Sequence, residues 1–330
     1  MSRLALRVGA RTSRLARCQA SLVIESLPAG TPAEYVGLRT SGDLAPDIPI
    51  HAIGGTGVFT REIERALLAG EIDAAVHSLK DLATEMPGGL RLAACLPRED
   101  PRDALVLAAP AGFDAPSGLD APSGLDAPSG LDALPRGAVV GTASLRRRAF
   151  LLRARPDLRV ESIRGNVPTR LEKLRAGDFD AIVLATAGLV RLGLEANISA
   201  ILAVEFFPPA PGQGAIAVQA RCGDERTAAA FDVLDDADTR IAVTAERAFL
   251  RRIEGGCQAP AGALATVDAD GKALKLETLI CSPDGSRGVS SSVSGSARDA
   301  AELGREAAER SLRDGARVIL DELRRGAEQP

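Results

Sequence analysis

Tryptophan is absent from this chain of 330 residues, and one tyrosine and eight phenylalanines are its only aromatic side chains apart from two histidines. So little aromatic surface leaves almost no material for the platforms on which single-stranded nucleic acid stacks. The two histidines, His51 and His77, lack HExxH or any other ligand spacing, which argues against a histidine-built metal centre. Five cysteines (Cys18, Cys95, Cys222, Cys257, Cys281) are odd in number, far apart and without a CxxC pair. Neither a disulfide framework nor a zinc site is expected, and each reads as a free thiol. No apolar run approaches the length of a membrane span, and a strand-like run beginning at Leu4 leaves no room for a signal peptide. A cytoplasmic location without membrane contact is expected. A GxGxxG fingerprint and a Walker A lysine are also missing, so dinucleotides and nucleoside triphosphates are not suggested as ligands.

What the chain does have is arginine, unevenly placed. From Thr142 to Ala176, nine arginines and Lys173 stand against Asp157, Glu161 and Glu172, a net of +7 in a chain whose total is −4. A solvated helix face absorbs some of that charge, but an excess this local suggests a polyanionic ligand, for which guanidinium forks suit paired carboxylates or phosphates. Nucleic acid fits poorly, given the negative total and the few aromatics.

The length suggests two or three domains. LALRVGA (4–10), AEYVGLRT (33–40) and DAAVHSLK (73–80) read as strands, with a helix after Ser13 and another through REIERALLAG. The pattern restarts after PREDPRD with AVVGTAS (138–144), RVESIRG (159–165) and FDAIVLAT (179–186). EFFPPAPGQG (205–214) reads as a connection and AIAVQAR (215–221) as one more strand. The last hundred residues carry two helical patterns, strand-like segments from Gly262 to Ser294 and a final helix from about Ala297 to Arg325. Strands separated by helices imply a parallel or mixed sheet. The expected fold is α/β: domain 1 over 1–98 and 213–232, domain 2 over 99–212, and a smaller α+β domain 3 over 233–330. Three copies of DAPSGL (114–131) contain too much Pro and Gly to stack into a core and read as a surface loop.

Four segments place polar groups at strand-to-helix turns, where open α/β sheets form their ligand crevices. HSLKD (77–81) offers Lys80 for an anion and Asp81 for a cation formed during reaction, against the commoner reading of a solvated pair. GTASLRRR (141–148) offers backbone N–H groups with Arg146 and Arg147, and SIRGNVPTR (162–170) repeats the pattern with Arg164 and Arg170. RTSRLARCQ (11–19) carries Arg11 beside Ser13, itself a natural helix cap.

In this order, and together with GGTGVFTREIE, REDPRDALV, DAIVLATAGLVRLGL, PAPGQGAIAVQAR and TAERAFLRRIEGGCQAP, these segments closely resemble the porphobilinogen deaminase (hydroxymethylbilane synthase) family, from residue 4 to about 262. The resemblance implies two lobes like those of periplasmic binding proteins, a third domain, and an active site in the cleft. It implies that Cys257 carries a dipyrromethane cofactor through a thioether, onto which four porphobilinogen units are added with loss of ammonia before water releases hydroxymethylbilane. On the same ground Asp81 is the catalytic carboxylate, and Lys80, Ser144, Arg146, Arg147 and Arg170 join Asp81 in holding the cofactor. Arg11, Ser13, Gln19, Phe59, Arg164, Arg170 and Arg191 take the substrate positions, and a monomer is expected.

Three departures from the family pattern stand out: Thr56 for a usual lysine, with Arg61 as a neighbouring replacement, Pro168 for a common glycine, and the hexad repeat. A bilobed cytoplasmic anion-binding protein without catalysis is the competing reading. A lone cysteine is by itself more often an inert core thiol than an anchor, so Cys257 takes its role from the rest of the pattern.

Overall fold

A computed structural model of the chain describes residues 5–44, 60–108, 130–254 and 259–328. It opens with β1 (Leu6–Arg11), α1 (Arg14–Glu25) and β2 (Ala33–Leu38), a βαβ unit in which β1 and β2 run parallel. Ser13 ends β1 and starts α1, because its side chain accepts from the Ala16 N–H at 3.3 Å and satisfies one of the free donors of the first turn. Next come α2 (Ser41–Leu44), α3 (Arg61–Leu68), β3 (Ala74–Ser78) and β4 (Leu90–Cys95).

The chain then crosses into a second sheet through β5 (Asp103–Leu107), β6 (Val139–Gly141), α4 (Leu145–Ala154), β7 (Arg159–Glu161), α5 (Val167–Arg175), β8 (Ala181–Ala185), α6 (Thr186–Arg191) and β9 (Ala200–Ile201). It returns by β10 (Ile216–Arg221), which inserts between β3 and β4 of the first sheet. The first sheet has the order β2-β1-β3-β10-β4 and the second β7-β6-β8-β5-β9. In each, three parallel strands are followed by two antiparallel to their neighbours, so the lobes share one plan.

β10 is buried on both faces, as an inserted strand must be, and Ile216 and Val218 each contribute roughly 1.5–3 kcal/mol of apolar burial. Its fully buried Gln219 would be costly there unpaired, but its amide donates to Glu64 of α3 at 3.0 Å.

The remaining helices and strands are α7 (Glu225–Phe231), α8 (Ala237–Arg252), β11 (Ala261–Val267), β12 (Ala273–Cys281), β13 (Gly288–Ser296), α9 (Ala300–Ser311) and α10 (Arg317–Glu328). β11, β12 and β13 form an antiparallel meander, and α8 and α9 pack on it around Phe249, Leu276 and Ala307. Leu279 and Cys281 of β12 reach instead into the core of the second lobe, beside Phe150 and Phe207.

Several sequence expectations change. The final helix is two: the turn 312–316 widens into a π-type segment, and Gly315 has φ 113°, a conformation that breaks the helix and favours glycine. The segments 138–144 and 159–165 shorten to three-residue strands, because Ser144 and Asn166 already act as caps for α4 and α5. β4 and β5, for which no strand is read from sequence, supply one antiparallel strand to each sheet. Pro168 falls in the first turn of α5, where a missing N–H costs nothing.

Candidate active site

β3 pairs with β10 as far as Ser78 opposite Ile216 and then ends, two residues before the strand expected from sequence. A single 3₁₀ turn, Leu79–Asp81, follows, anchored by the buried Leu79 and by its N–H to Ala215 O at 3.0 Å. Lys80 and Asp81 are thereby set at the C-terminal edge of the first sheet. Arg11, Ser13, Gln19, Ser78 and Asp81 line one crevice there. Gln19 donates to Ser78 Oγ at 2.9 Å and is buried, so it acts as a prop for the crevice wall. His77, also on the wall, is pushed down to about 4 chiefly by burial, which keeps it neutral at physiological pH and removes it as an acid.

The second lobe presents α4, capped by Ser144, whose hydroxyl accepts from the Arg147 N–H at 3.4 Å. Arg146 and Arg147 are buried rather than exposed, and both bind Asp103, the first residue of β5. Arg146 Nη2 meets Asp103 Oδ2 at 2.7 Å, while Arg147 Nε and Nη2 share Oδ1 at 3.0 and 2.7 Å. The Arg146 guanidinium also lies over the rings of Phe150 and Phe207, at 5.8 and 5.7 Å. Burial raises the Asp103 pKa, but the two arginines outweigh it and hold the carboxyl near 2.

The +7 count over 142–176 therefore overstates the charge open to a ligand. Asp103 lies outside that segment and faces two of its arginines, while Arg155 and Arg159 pair with Asp157 and Glu161. Arg164 and Arg170, around the turn into α5, are different. Arg164 Nη1 is buried with no hydrogen-bond partner among the described residues. Arg170 spends its Nε on Gly165 O at 2.8 Å, and its pKa is pushed down to about 10 by burial and by Arg147 and Arg164, with Asp81 opposing.

Asp81 thus feels Arg170 from the second lobe and Lys80 from the first. Burial, then Arg147, lowers Lys80 to about 8, against the opposing pull of Asp81 and Asp103. The group comprises the cations Lys80, Arg146, Arg147, Arg164 and Arg170 and the carboxylates Asp81 and Asp103. A surplus of partly desolvated positive charge is what a ligand carrying several carboxylates requires, and the unpartnered Arg164 nitrogen offers one such bond. Arg191, on α6, donates to Gly214 O at 2.6 Å across the lobes. Cys18 of α1 likewise donates to the Arg191 carbonyl at 3.0 Å.

Phe59, Thr56, Cys257 and most of the hexad repeat lie outside the described residues. Of the described cysteines, Cys95 and Cys281 are pushed up to about 11 by burial and are inert protonated thiols at neutral pH. The groups that sequence reasoning missed are Asp103, Gln213 and the buried pair Arg98–Glu246. Asp103, Arg98 and Gln213 sit in the connections between the lobes, PREDPRD and PAPGQG, while Glu246 lies inside α8 in TAERAFL, and the one available signal was a polar residue amid prolines, glycines or apolar neighbours.

Two α/β lobes that bring Lys80, Arg146, Arg147, Arg164 and Arg170 around Asp81 and Asp103 define a bilobed protein whose site is suited to an anionic small molecule. The particular family follows from the comparisons. Residues 6–229 match the family model "Porphobilinogen deaminase, dipyromethane cofactor binding domain", and 240–313 match "Porphobilinogen deaminase, C-terminal domain". The chain belongs to the porphobilinogen deaminase family, the transferases of tetrapyrrole biosynthesis. It is 44% identical to porphobilinogen deaminase of Trichlorobacter lovleyi over 96% of both chains. With the Pelobacter propionicus enzyme it shares 46% identity, over 96% of this chain and 97% of that one. Among solved structures it is similar to a putative methionine-binding lipoprotein from Bacillus subtilis, at TM-score 0.39 and 13% identity, over 70% of this chain and 89% of that one. That likeness is too distant to carry any part of the argument.

Proposed function

We propose that this chain joins four porphobilinogen molecules head to tail with loss of ammonia, and releases the product as hydroxymethylbilane by adding water. The reading is supported by family membership and carried by one observation, the surplus of cations, partly or fully buried, around Asp81 and Asp103. The residues fit a dipyrromethane bearing acetate and propionate groups: Lys80, Arg146, Arg147 and Arg170 with Ser144 hold its carboxylates, and Cys257 anchors it by a thioether. When bound, the dipyrromethane supplies the pyrrole carbon at which the product chain starts.

The chain's own residues do the rest. Arg11, Ser13, Arg164 and Arg191, with Phe59 and the prop Gln19, receive the incoming substrate, whose two carboxylates need cations that are already desolvated. As the aminomethyl C–N bond breaks, its electron pair leaves with nitrogen, and the carbon left behind and its pyrrole ring become positive. Asp81 accepts the pyrrole N–H and offsets that charge, and its effect is largest where water is excluded. His77, neutral and buried, takes no proton in this step. The enzyme works as a cytoplasmic monomer.

The test is Asp81→Asn. Loss of a charge that acts on the developing cation lowers turnover by about 10²–10³ while leaving the fold intact. Near-normal ammonia release by the folded variant contradicts the assignment.

A further inference from the structure

Gln213 lies between Gly212 and Gly214 in the segment by which the chain returns from the second lobe to the first, and its side chain is 1% exposed. Its amide oxygen accepts from Lys80 Nζ at 3.1 Å. Its amide nitrogen donates to Asp103 Oδ1 at 3.0 Å and to Pro101 O at 2.7 Å. The orientation of the amide is fixed by chemistry: the ammonium is a donor and the carboxylate and carbonyl are acceptors, so a flipped side chain would place like against like on both sides.

The backbone around it is equally determined. Arg98 Nε donates to Gln213 O at 2.8 Å, and its two Nη atoms grip Glu246 of α8 at 2.6 and 3.1 Å. Glu246, 0% exposed, also accepts from the Gly212 N–H at 2.7 Å and from the Ala265 N–H of β11 at 2.9 Å. Gly214 has φ 90°, and a Cβ there would stand 2.3 Å from Glu99 O, so the two crossing segments touch backbone to backbone. Both connections between the lobes and the first helix of the C-terminal unit thus meet on the residue whose side chain reaches the crevice.

We propose that Gln213 is a positioning residue for the reaction: one buried amide aims Lys80 of the first lobe and braces Asp103, the carboxylate that orients Arg146 and Arg147 of the second. The anion-binding groups of both lobes are set in mutual register through it. This rests on the assignment of Lys80 to the carboxylate-binding set. Among the described residues, the charged groups around Lys80 include Asp81 on its own turn, Asp103 from β5, and Arg146 and Arg147 from α4. Against them the Gln213 oxygen is a neutral acceptor that favours the ammonium over the amine.

The chain has only four lysines, Lys80, Lys173, Lys272 and Lys275, so ¹³Cε labelling of lysine in the holoenzyme follows Lys80 directly. In Gln213→Met, which keeps the length and loses all the side-chain hydrogen bonds, the Lys80 titration midpoint falls by about 1 pH unit. The KM for porphobilinogen rises while the other three lysines titrate unchanged. If Gln213→Met does not fold, Gln213→Asn keeps the amide but is one methylene too short to span both partners, and it shows the same direction of shift. A folded variant with an unmoved Lys80 midpoint and unchanged KM overturns the proposal. Lys80→Gln separates this from the parent reading: if it leaves KM unchanged, the assignment of Lys80 itself is wrong. If Lys80→Gln raises KM and the Gln213 variants do not, only the role of Gln213 fails.

Discussion

Arg147 places two nitrogens on one oxygen of Asp103, at 3.0 and 2.7 Å, with the carboxylate fully shielded from solvent and the guanidinium almost so. An ion pair this buried is held for geometry more than for net stability, because desolvating both charges offsets most of their attraction. What it secures here is the direction of α4, whose first turn faces the crevice, since Arg147 also donates to Val183 O on β8 at 2.9 Å.

Removing that carboxylate leaves two guanidinium groups buried without a counter-charge. Asp103→Asn is expected to lower unfolding free energy by roughly 3–5 kcal/mol. The parent protein carries the same signature in acid. With the folded-state value near 2, below the ordinary 3.8, the contribution of Asp103 is complete above pH 3.8 and is lost as pH falls toward 2. Urea unfolding of both forms from pH 7 to pH 2 checks this, and the gap between them closes at the acid end.

Lys80 sets the alkaline side. Its ammonium is charged below about pH 8 and loses its charge as pH rises through that value, so kcat/KM falls above pH 8 in the parent. Stability moves the other way for this group. Between 8 and its ordinary 10.5, the unfolded chain binds the extra proton, so the cost of burying the ammonium is relieved as pH rises. Activity is therefore lost in alkali without unfolding. Lys80→Arg, which keeps its charge throughout, moves the limb to higher pH, as a pH–rate profile read alongside circular dichroism shows.

Glu246 joins the C-terminal unit to the crossing segments through Arg98, Gly212 and Ala265. Glu246→Ala is expected to cost roughly 3–5 kcal/mol, because the largely shielded Arg98 loses its counter-charge. Amide exchange at Gly212 and Ala265 quickens by more than at β8 in the same variant, as hydrogen-exchange mass spectrometry resolves.

Much of this was legible in the residues. Ser13, Ser144 and Asn166 each cap the helix that follows them, so three of the strand-to-helix turns at the crevice follow from short polar side chains alone. The three parallel strands of each lobe and the helices between them likewise followed from the apolar runs, whereas β4 and β5 did not. The limits were physical. A count of charges along the chain cannot see Asp103, nearly forty residues upstream, neutralising part of the arginine cluster. The insertion of β10 between β3 and β4 is a long-range pairing with no local signature. Gln213 was one polar residue in a glycine–proline connection until its neighbours from both lobes were brought around it. At the last helix, periodicity continued through Gly315 although the backbone did not.

On the proposed function, Cys257 anchors a dipyrromethane within the cleft. Intact mass of the purified protein tests it most directly. The parent protein is expected to be heavier than its sequence by one thioether-linked dipyrromethane, and the Cys257→Ser variant to have the mass of the bare chain. A fully active parent at the unmodified mass, or an added mass that survives Cys257→Ser, contradicts it.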